Sequence, residues 1–257
     1  MGSFFEDLES AQLEKKSRME IEILRSICAQ IKSSSPMAAS AMKAALERKL
    51  IGPGGHASDE LAKRMFIHYL YRSGDFTLTI DDMKMMNSDR TGDFAPGPIS
   101  LKLDDYNETS NRAEWNKGVT DAMTRPVDSS GSIVWVWDNG AISSYKVHYK
   151  GKFQALTAND ADSVEWRGSV SFSDRFDLDP RWNWSPSNPQ GRSAGGERRT
   201  RIGYILDLGT DFNMVSPWIS AKQGALEKTL TLLGAAGTGT GPQPQYSPKP
   251  PAYNSAK

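Results

Sequence analysis

A ten-residue alternation that breaks into a run of acid does most to limit what this chain can fold into. Val164, Trp166, Gly168, Val170 and Phe172 fall on one side, with Glu165, Arg167, Ser169, Ser171 and Ser173 on the other. That is the period-2 pattern of a half-buried strand. Directly after it, Asp174-Arg175-Phe176-Asp177-Leu178-Asp179-Pro180 packs three carboxylates into six residues. A strand ending there turns Asp174, Asp177 and Asp179 into a small volume, where like charges need a cation, a shared proton or nearby arginines. Arginines follow as Arg181, Arg192, Arg198, Arg199 and Arg201. Two readings stand at this point: a solvated Asp-rich turn that caps the next segment, or a site that hydrolyses a phosphate ester.

Around that strand the patterning divides the chain. Residues 4–35 read as one helix, with Leu8, Ala11, Ile21, Leu24, Ile27, Cys28 and Ile31 on one stripe, until Ser33-Ser34-Ser35-Pro36 breaks it. A second helix covers 37–50 and stops at Gly52-Pro53-Gly54-Gly55, and a third starts from Ser58 as N-cap and runs to Gly74. Residues 1–74 thus form an N-terminal helical region. From Phe76 onward strands and loops dominate: long loops with one short helix over 87–131, then strands at Ser132–Trp137, Ser143–Tyr149, Lys152–Thr157 and 163–173. Lys150-Gly151 and Asn159-Asp160 supply turns, which makes an antiparallel meander. A Trp/Pro/Ser/Asn loop at 181–190 leads to a helix near 194–206, a strand near 211–219 and a last short helix over Ala225–Leu233. The fold class is α+β, with a catalytic α+β region over 75–233. Residues 234–257 lack core-forming side chains and read as a disordered tail.

Composition removes several function classes. A chain of 257 residues with a net charge of zero and a pI near 6.8 has no general attraction for nucleic acid, so no nucleic-acid partner is expected. Mean hydropathy is −0.54, and no apolar stretch approaches the roughly 18–20 residues that cross a bilayer. Acid stands at Glu6 and Asp7 where a signal peptide carries lysine, which gives a chain made in the cytoplasm without an export signal. The lone Cys28 excludes an internal disulfide framework.

Most chemical motifs are missing. Gly52-Pro53-Gly54-Gly55 lacks the lysine and preceding strand of a phosphate loop, and His56, His68 and His148 have no metal-ligand spacing. His68 reads as a packed or capping residue. His148 sits on a strand, facing solvent or carried toward the acidic run. Trp182 and Trp184 either pack over a domain edge or line a cleft for an apolar substrate.

The segment Tyr149-Lys150-Gly151-Lys152-Phe153, the turn, Trp166-Arg167-Gly168-Ser169-Val170 and then Asp174-Arg175-Phe176-Asp177-Leu178-Asp179 resembles the activity domain of the colicin M family of bacteriocins. His68-Tyr69-Leu70 before Gly74 and Thr200-Arg201-Ile202-Gly203 are similar to two further family stretches, so the resemblance covers roughly residues 60–220. It implies helices packed against a curved antiparallel sheet, and magnesium-dependent hydrolysis of lipid II between the undecaprenyl carrier and the pyrophosphate. Carried over by residue, it makes Asp174, Asp177, Asp179 and Arg192 catalytic, with Asp174 and Asp177 toward magnesium and Phe176, Trp182 and Trp184 toward the polyprenyl chain. Phe176 stands where the family has tyrosine, and Gly191 where it has histidine. The acid or base then falls to Asp179, His148 or Glu197. The resemblance further implies a cognate immunity protein and action in the periplasm of a target bacterium. The N-terminal helices suggest an effector delivered by a secretion machine such as a type VI system. Action on another phosphodiester or cell-wall bond, or a non-catalytic binding or structural module, are the alternatives.

Overall fold

A computed structural model describes residues 7–8, 10–88, 108–136, 141–142, 144–189, 193–227 and 230–242. The chain divides into two compact units. One, largely helical, combines the described residues within 7–73 and 176–212; the other, built on a sheet, combines those within 74–175 and 213–242.

In the helical unit, the single helix expected over 4–35 is interrupted. Gln12 is left-handed (φ 47°), Leu13–Lys15 make one 3-10 turn, and helix α1 spans Arg18–Ser34. Ser17 sets that start through a capping box: its hydroxyl accepts from Glu20 N, and the Glu20 carboxylate accepts from Ser17 N at 2.8 Å. Helix α2 covers Pro36–Ile51, with Pro36 in its first turn, and α3 covers Glu60–Tyr71. Asp59, and not Ser58, caps α3, accepting from Ala62 N at 2.7 Å.

The sheet unit holds β1 (Phe76–Thr77), α4 (Ile80–Ser88), α5 (Glu108–Ala122), β2 (Val127–Val136), β3 (Ser144–Ala155) and β4 (Val164–Phe176), the last residue of β4 belonging to the helical unit. After α6 (Ala194–Leu206) in the helical unit come β5 (Phe212–Val215), β6 (Pro217–Gly224) and β7 (Thr231–Thr240). The strands order as β1-β5-β4-β3-β2, with β6 beside β4 and β7 beside β6. β2 with β3, β3 with β4, β4 with β6 and β6 with β7 pair antiparallel while β1 with β5 pairs parallel, so the sheet is mixed. The fold is α+β, as the pattern implied.

Three local departures have physical causes. Lys150-Gly151 is no turn: β3 runs straight through it, and Gly151 faces Gly168 across the ladder. A Cβ at either glycine would stand 2.7 Å from the Trp166 ring, so these glycines make room for an indole. The strand expected over 211–219 is two strands, since Pro217 brings no N–H and the chain shifts partner at Ser216. Ser216 Oγ accepts from Phe172 N at 2.7 Å and so satisfies that buried donor. Finally, strand β7 replaces the short helix expected over 225–233 and carries pairing to Thr240, inside the stretch read as a tail, with Gly241 N donating to Ser216 O at 2.9 Å.

The sheet's core face is apolar. Ile133, Val147 and Phe172 form one cross-strand row and Tyr149, Val170 and Ile219 another, all buried. Helix α5 covers part of it through Trp115, edge-on to Phe153 at 5.1 Å, and Gly118, where a Cβ would collide with the same ring. Trp166, fully buried, donates its indole N–H to Ser129 Oγ at 2.8 Å.

Candidate functional site

The acidic run does not begin where the strand stops. Strand β4 extends through Phe176, so Asp174 is a strand residue of the sheet unit, while Asp177 and Asp179 belong to the helical unit. Asp174 is half-buried, and its Oδ1 accepts from Arg175 N at 2.8 Å. Asp177 Oδ1 accepts from Asp179 N at 3.2 Å, the bond by which an aspartate orders a turn two residues on.

Between those acids, apolar side chains anchor the segment to the helical unit. Phe176 is buried, stacked on Phe212 at 4.9 Å, edge-on to Phe66 at 5.7 Å and tilted against Tyr69 at 5.5 Å. The residue assigned to substrate by resemblance is thus a core residue. Leu178 lies against α6 at Gly203, where a Cβ would overlap its Cδ1. The Tyr69 phenol is 1% exposed, and burial first, then the charges of Asp211, Asp207 and Asp179, push its pKa far above the usual tyrosine value.

The loop after the run closes on α6 as well. Trp184 is buried. Trp182 is half-buried, edge-on to Tyr204 at 5.5 Å, with the guanidinium groups of Arg18 and Arg201 5.3 and 5.6 Å from its ring. Trp182 therefore packs within the helical unit, Trp184 is buried, and of the two Trp182 keeps partial access to solvent.

Glu197 is not a free acid or base. It is fully buried and accepts from Arg201 Nε at 2.7 Å and from Arg181 N at 3.0 Å. Arg201 donates onward to Leu13 O (2.8 Å), Lys16 O (2.7 Å) and Arg181 O (3.2 Å). One ion pair thereby holds α6, the 3-10 turn and the loop after the acidic run. Its sequence signal was the i, i+4 spacing of Glu197 and Arg201, which sequence reasoning passed over. A second cross-link joins α1 to α6. Buried Arg25 donates to Tyr204 Oη at 3.0 Å, Tyr204 donates to Glu22 at 2.7 Å, and Lys32 donates to the last carbonyls of α6, Leu206 O and Asp207 O. Burial and the Glu22 bond raise the Tyr204 pKa to about 12.

His148 Nε2 lies 2.8 Å from Ser173 Oγ. Burial, and then the charge of Lys146, hold its pKa below the usual 6.5, so it is neutral at pH 7. Its cross-strand partner is Ser171, which places it on the sheet face opposite that of Phe172. By the strand's alternation Asp174 shares the Phe172 face, so the structure pairs His148 with Ser173 and does not bring it to Asp174. His68 is buried, edge-on to Phe212 at 4.6 Å, in accord with a packed residue. Gly191 and Arg192 lie outside the described residues.

Among the described residues no three His, Cys, Asp or Glu side chains converge as a metal cage, and no helix is long and apolar enough to cross a membrane. Magnesium binds through one or two carboxylates and the phosphates of a substrate, and the partly exposed Asp174 fits that donor type.

No family model and no curated protein matches the chain. Among solved structures it overlaps with PaeM, a colicin M-like bacteriocin produced by Pseudomonas aeruginosa, at a TM-score of 0.34 and 10% identity over 65% of this chain. The overlap spans 51% of the PaeM chain, about half its length. A likeness of that extent assigns neither family nor activity.

Proposed function

We propose that this chain is a divergent colicin M-like toxin that hydrolyses lipid II between the undecaprenyl carrier and the pyrophosphate. The observation that carries the reading is the meeting of two motif blocks on which the resemblance rests. Leu178 of the acidic run lies on Gly203 of Thr200-Arg201-Ile202-Gly203, although the two are far apart in sequence.

A pyrophosphate ester resists water because its anionic oxygens repel the nucleophile. Catalysis needs charge neutralisation and a carboxylate that aims or deprotonates water. Asp174 takes that role here, with Asp177 and Asp179 as further carboxylates of the run and Arg192 as the phosphate ligand. Magnesium held at Asp174, with help from Asp177, would supply neutralising charge to the phosphates. With Glu197 committed to Arg201, Asp179 is the remaining acid or base among the three candidates. Trp182 is the loop aromatic left to meet a polyprenyl chain. Such a toxin acts in the periplasm of a target cell, calls for an immunity protein in its producer, and calls for a secretion system to deliver it.

The bond from Asp179 N to Asp177 favours one competing reading, in which the carboxylates only order a turn. Asp174→Ala separates the two. Loss of magnesium-dependent lipid II cleavage by about 10²-fold or more, with stability changed by less than about 1 kcal/mol, is the expected result. Product analysis by chromatography reads the cleavage, and thermal melting reads the fold. A folded Asp174→Ala protein that cleaves at the wild-type rate sinks the assignment. Lipid II left intact by the wild-type chain, with and without magnesium, sinks the activity.

A further inference from the structure

The register of the sheet sorts its side chains into two faces, and the face away from the core is basic. One cross-strand row reads Asp128, Lys152, Arg167, Lys222. The next reads Ser130, Lys150, Ser169, Ser220, followed by Ser132, His148, Ser171 and then Lys146 with Ser173. Among the described residues this face carries five cations, Lys146, Lys150, Lys152, Arg167 and Lys222, with two carboxylates, Asp128 and Glu165, an excess of three positive charges. The whole chain is neutral, so the excess is a property of this face.

The cations are accessible. Lys152 and Arg167 are each 64% exposed and Lys222 34%. Lys152 pairs with Asp128 at 3.3 Å, while Arg167 and Lys222 share Glu165. Lys146 and Lys150 make no ion pair among the described residues. Instead, Lys150 Nζ sits 4.2 Å from the ring centre of half-buried Trp218. The array covers four strands and seven residues of β3, roughly 15 Å by 20 Å. The hydroxyls of Ser130, Ser169 and Ser220 lie between the charges, while Ser171 and Ser173 at its other end are buried, with Gly241 lying on Ser171.

We infer that this face docks the chain on an anionic phospholipid surface. Spread lysines on flexible stems suit a plane of mobile phosphates better than one fixed anion. A half-buried tryptophan beside them suits the interfacial zone, where an amphipathic ring is at home. Single-stranded nucleic acid is bound through rows of stacking aromatics, and this face has Trp218 alone among its described residues. A second copy of the same face repels it, charge against like charge. The inference does not rest on lipid II cleavage, because it concerns bulk headgroups.

The test is co-sedimentation of the full chain with vesicles of phosphatidylglycerol and phosphatidylethanolamine, which contain no lipid II. Vesicles of phosphatidylcholine serve as the neutral control. Binding to the anionic vesicles only, falling steeply with added salt, is expected. Each cation at the surface is worth about fivefold in affinity. A folded Lys146→Glu/Lys150→Glu protein should therefore bind at least about tenfold more weakly, and Lys146→Ser/Lys150→Ser serves the same purpose if the reversal fails to fold. Equal binding to neutral vesicles, no binding to either, or unchanged binding by a folded double variant overturns the inference. So does displacement from the vesicles by a single-stranded oligonucleotide, which would make the face one for nucleic acid. Vesicle binding without lipid II cleavage leaves this inference standing and removes the proposed activity.

Discussion

Arg201 in the helical unit is 1% exposed and bonded to Glu197 and three backbone carbonyls, whereas Arg167 in the sheet unit is 64% exposed and shares Glu165 with a lysine. The first guanidinium is a structural tie: it and its carboxylate take part in five hydrogen bonds among the described residues, and both side chains are buried. The second stands in solvent, where an ion pair contributes little and the charge stays available. The difference shows how to read charge in this molecule. Buried charge joins segments that lie far apart in the chain, and exposed charge on the sheet can meet something else.

Removing one partner of each pair should break or sharpen that contrast most. Glu197→Ala leaves the Arg201 guanidinium buried without its carboxylate and should cost about 3–5 kcal/mol, measured by urea denaturation. Arg167→Ser should stay within about 0.5 kcal/mol in the same assay. Equal effects from the two would erase the distinction. Next in size is Gly168→Ala, whose Cβ would meet the Lys150 carbonyl and the Trp166 ring. About 1–3 kcal/mol of overpacking is expected, and a neutral result in thermal melts would show that the indole can move. Smaller again among the destabilising changes is the α1 cap, where Ser17→Ala should cost about 1 kcal/mol. Hydrogen bonds from Ser17 N and then Ser17 Oγ lower the Glu20 pKa from 4.5 to about 2. A carboxylate lowered on folding stabilises fully above its unfolded pKa and loses that contribution as pH falls. The difference between wild type and Ser17→Ala should therefore be constant above pH 4.5 and shrink toward about pH 2. A difference that grows with acid would contradict the cap geometry.

Much of the secondary structure was legible because it rests on local signals. The helix expected near 194–206 is α6 at Ala194–Leu206, and the alternation of 164–173 marks β4. What escaped depends on partners distant in sequence. Gly151 looks like a turn until Trp166 is laid over it, and the Gly/Ala/Thr stretch of β7 has no apolar period of its own, only a place beside β6. In the candidate site, the acids were visible as composition. The burial of Phe176 and the commitment of Glu197 were not, since both follow from how α6 and α3 enclose the run.

The cross-links between α1 and α6 set a timetable for synthesis. Arg25 leaves the ribosome 179 residues before Tyr204, the hydroxyl that receives its hydrogen bond. At roughly 5–20 residues per second that interval is on the order of ten to thirty-five seconds. Until α6 emerges, the face of α1 that carries Ile21, Arg25 and Cys28 has no α6 to bury against, while the whole alternating pattern of β2, β3 and β4 has already been made. The sheet can therefore begin to pair first, and the N-terminal helices are finished last although they are born first. A nascent chain that stalls before residue 194 would expose an apolar helix face whose Arg25 has not yet met Tyr204, the kind of surface that chaperones hold and proteases remove.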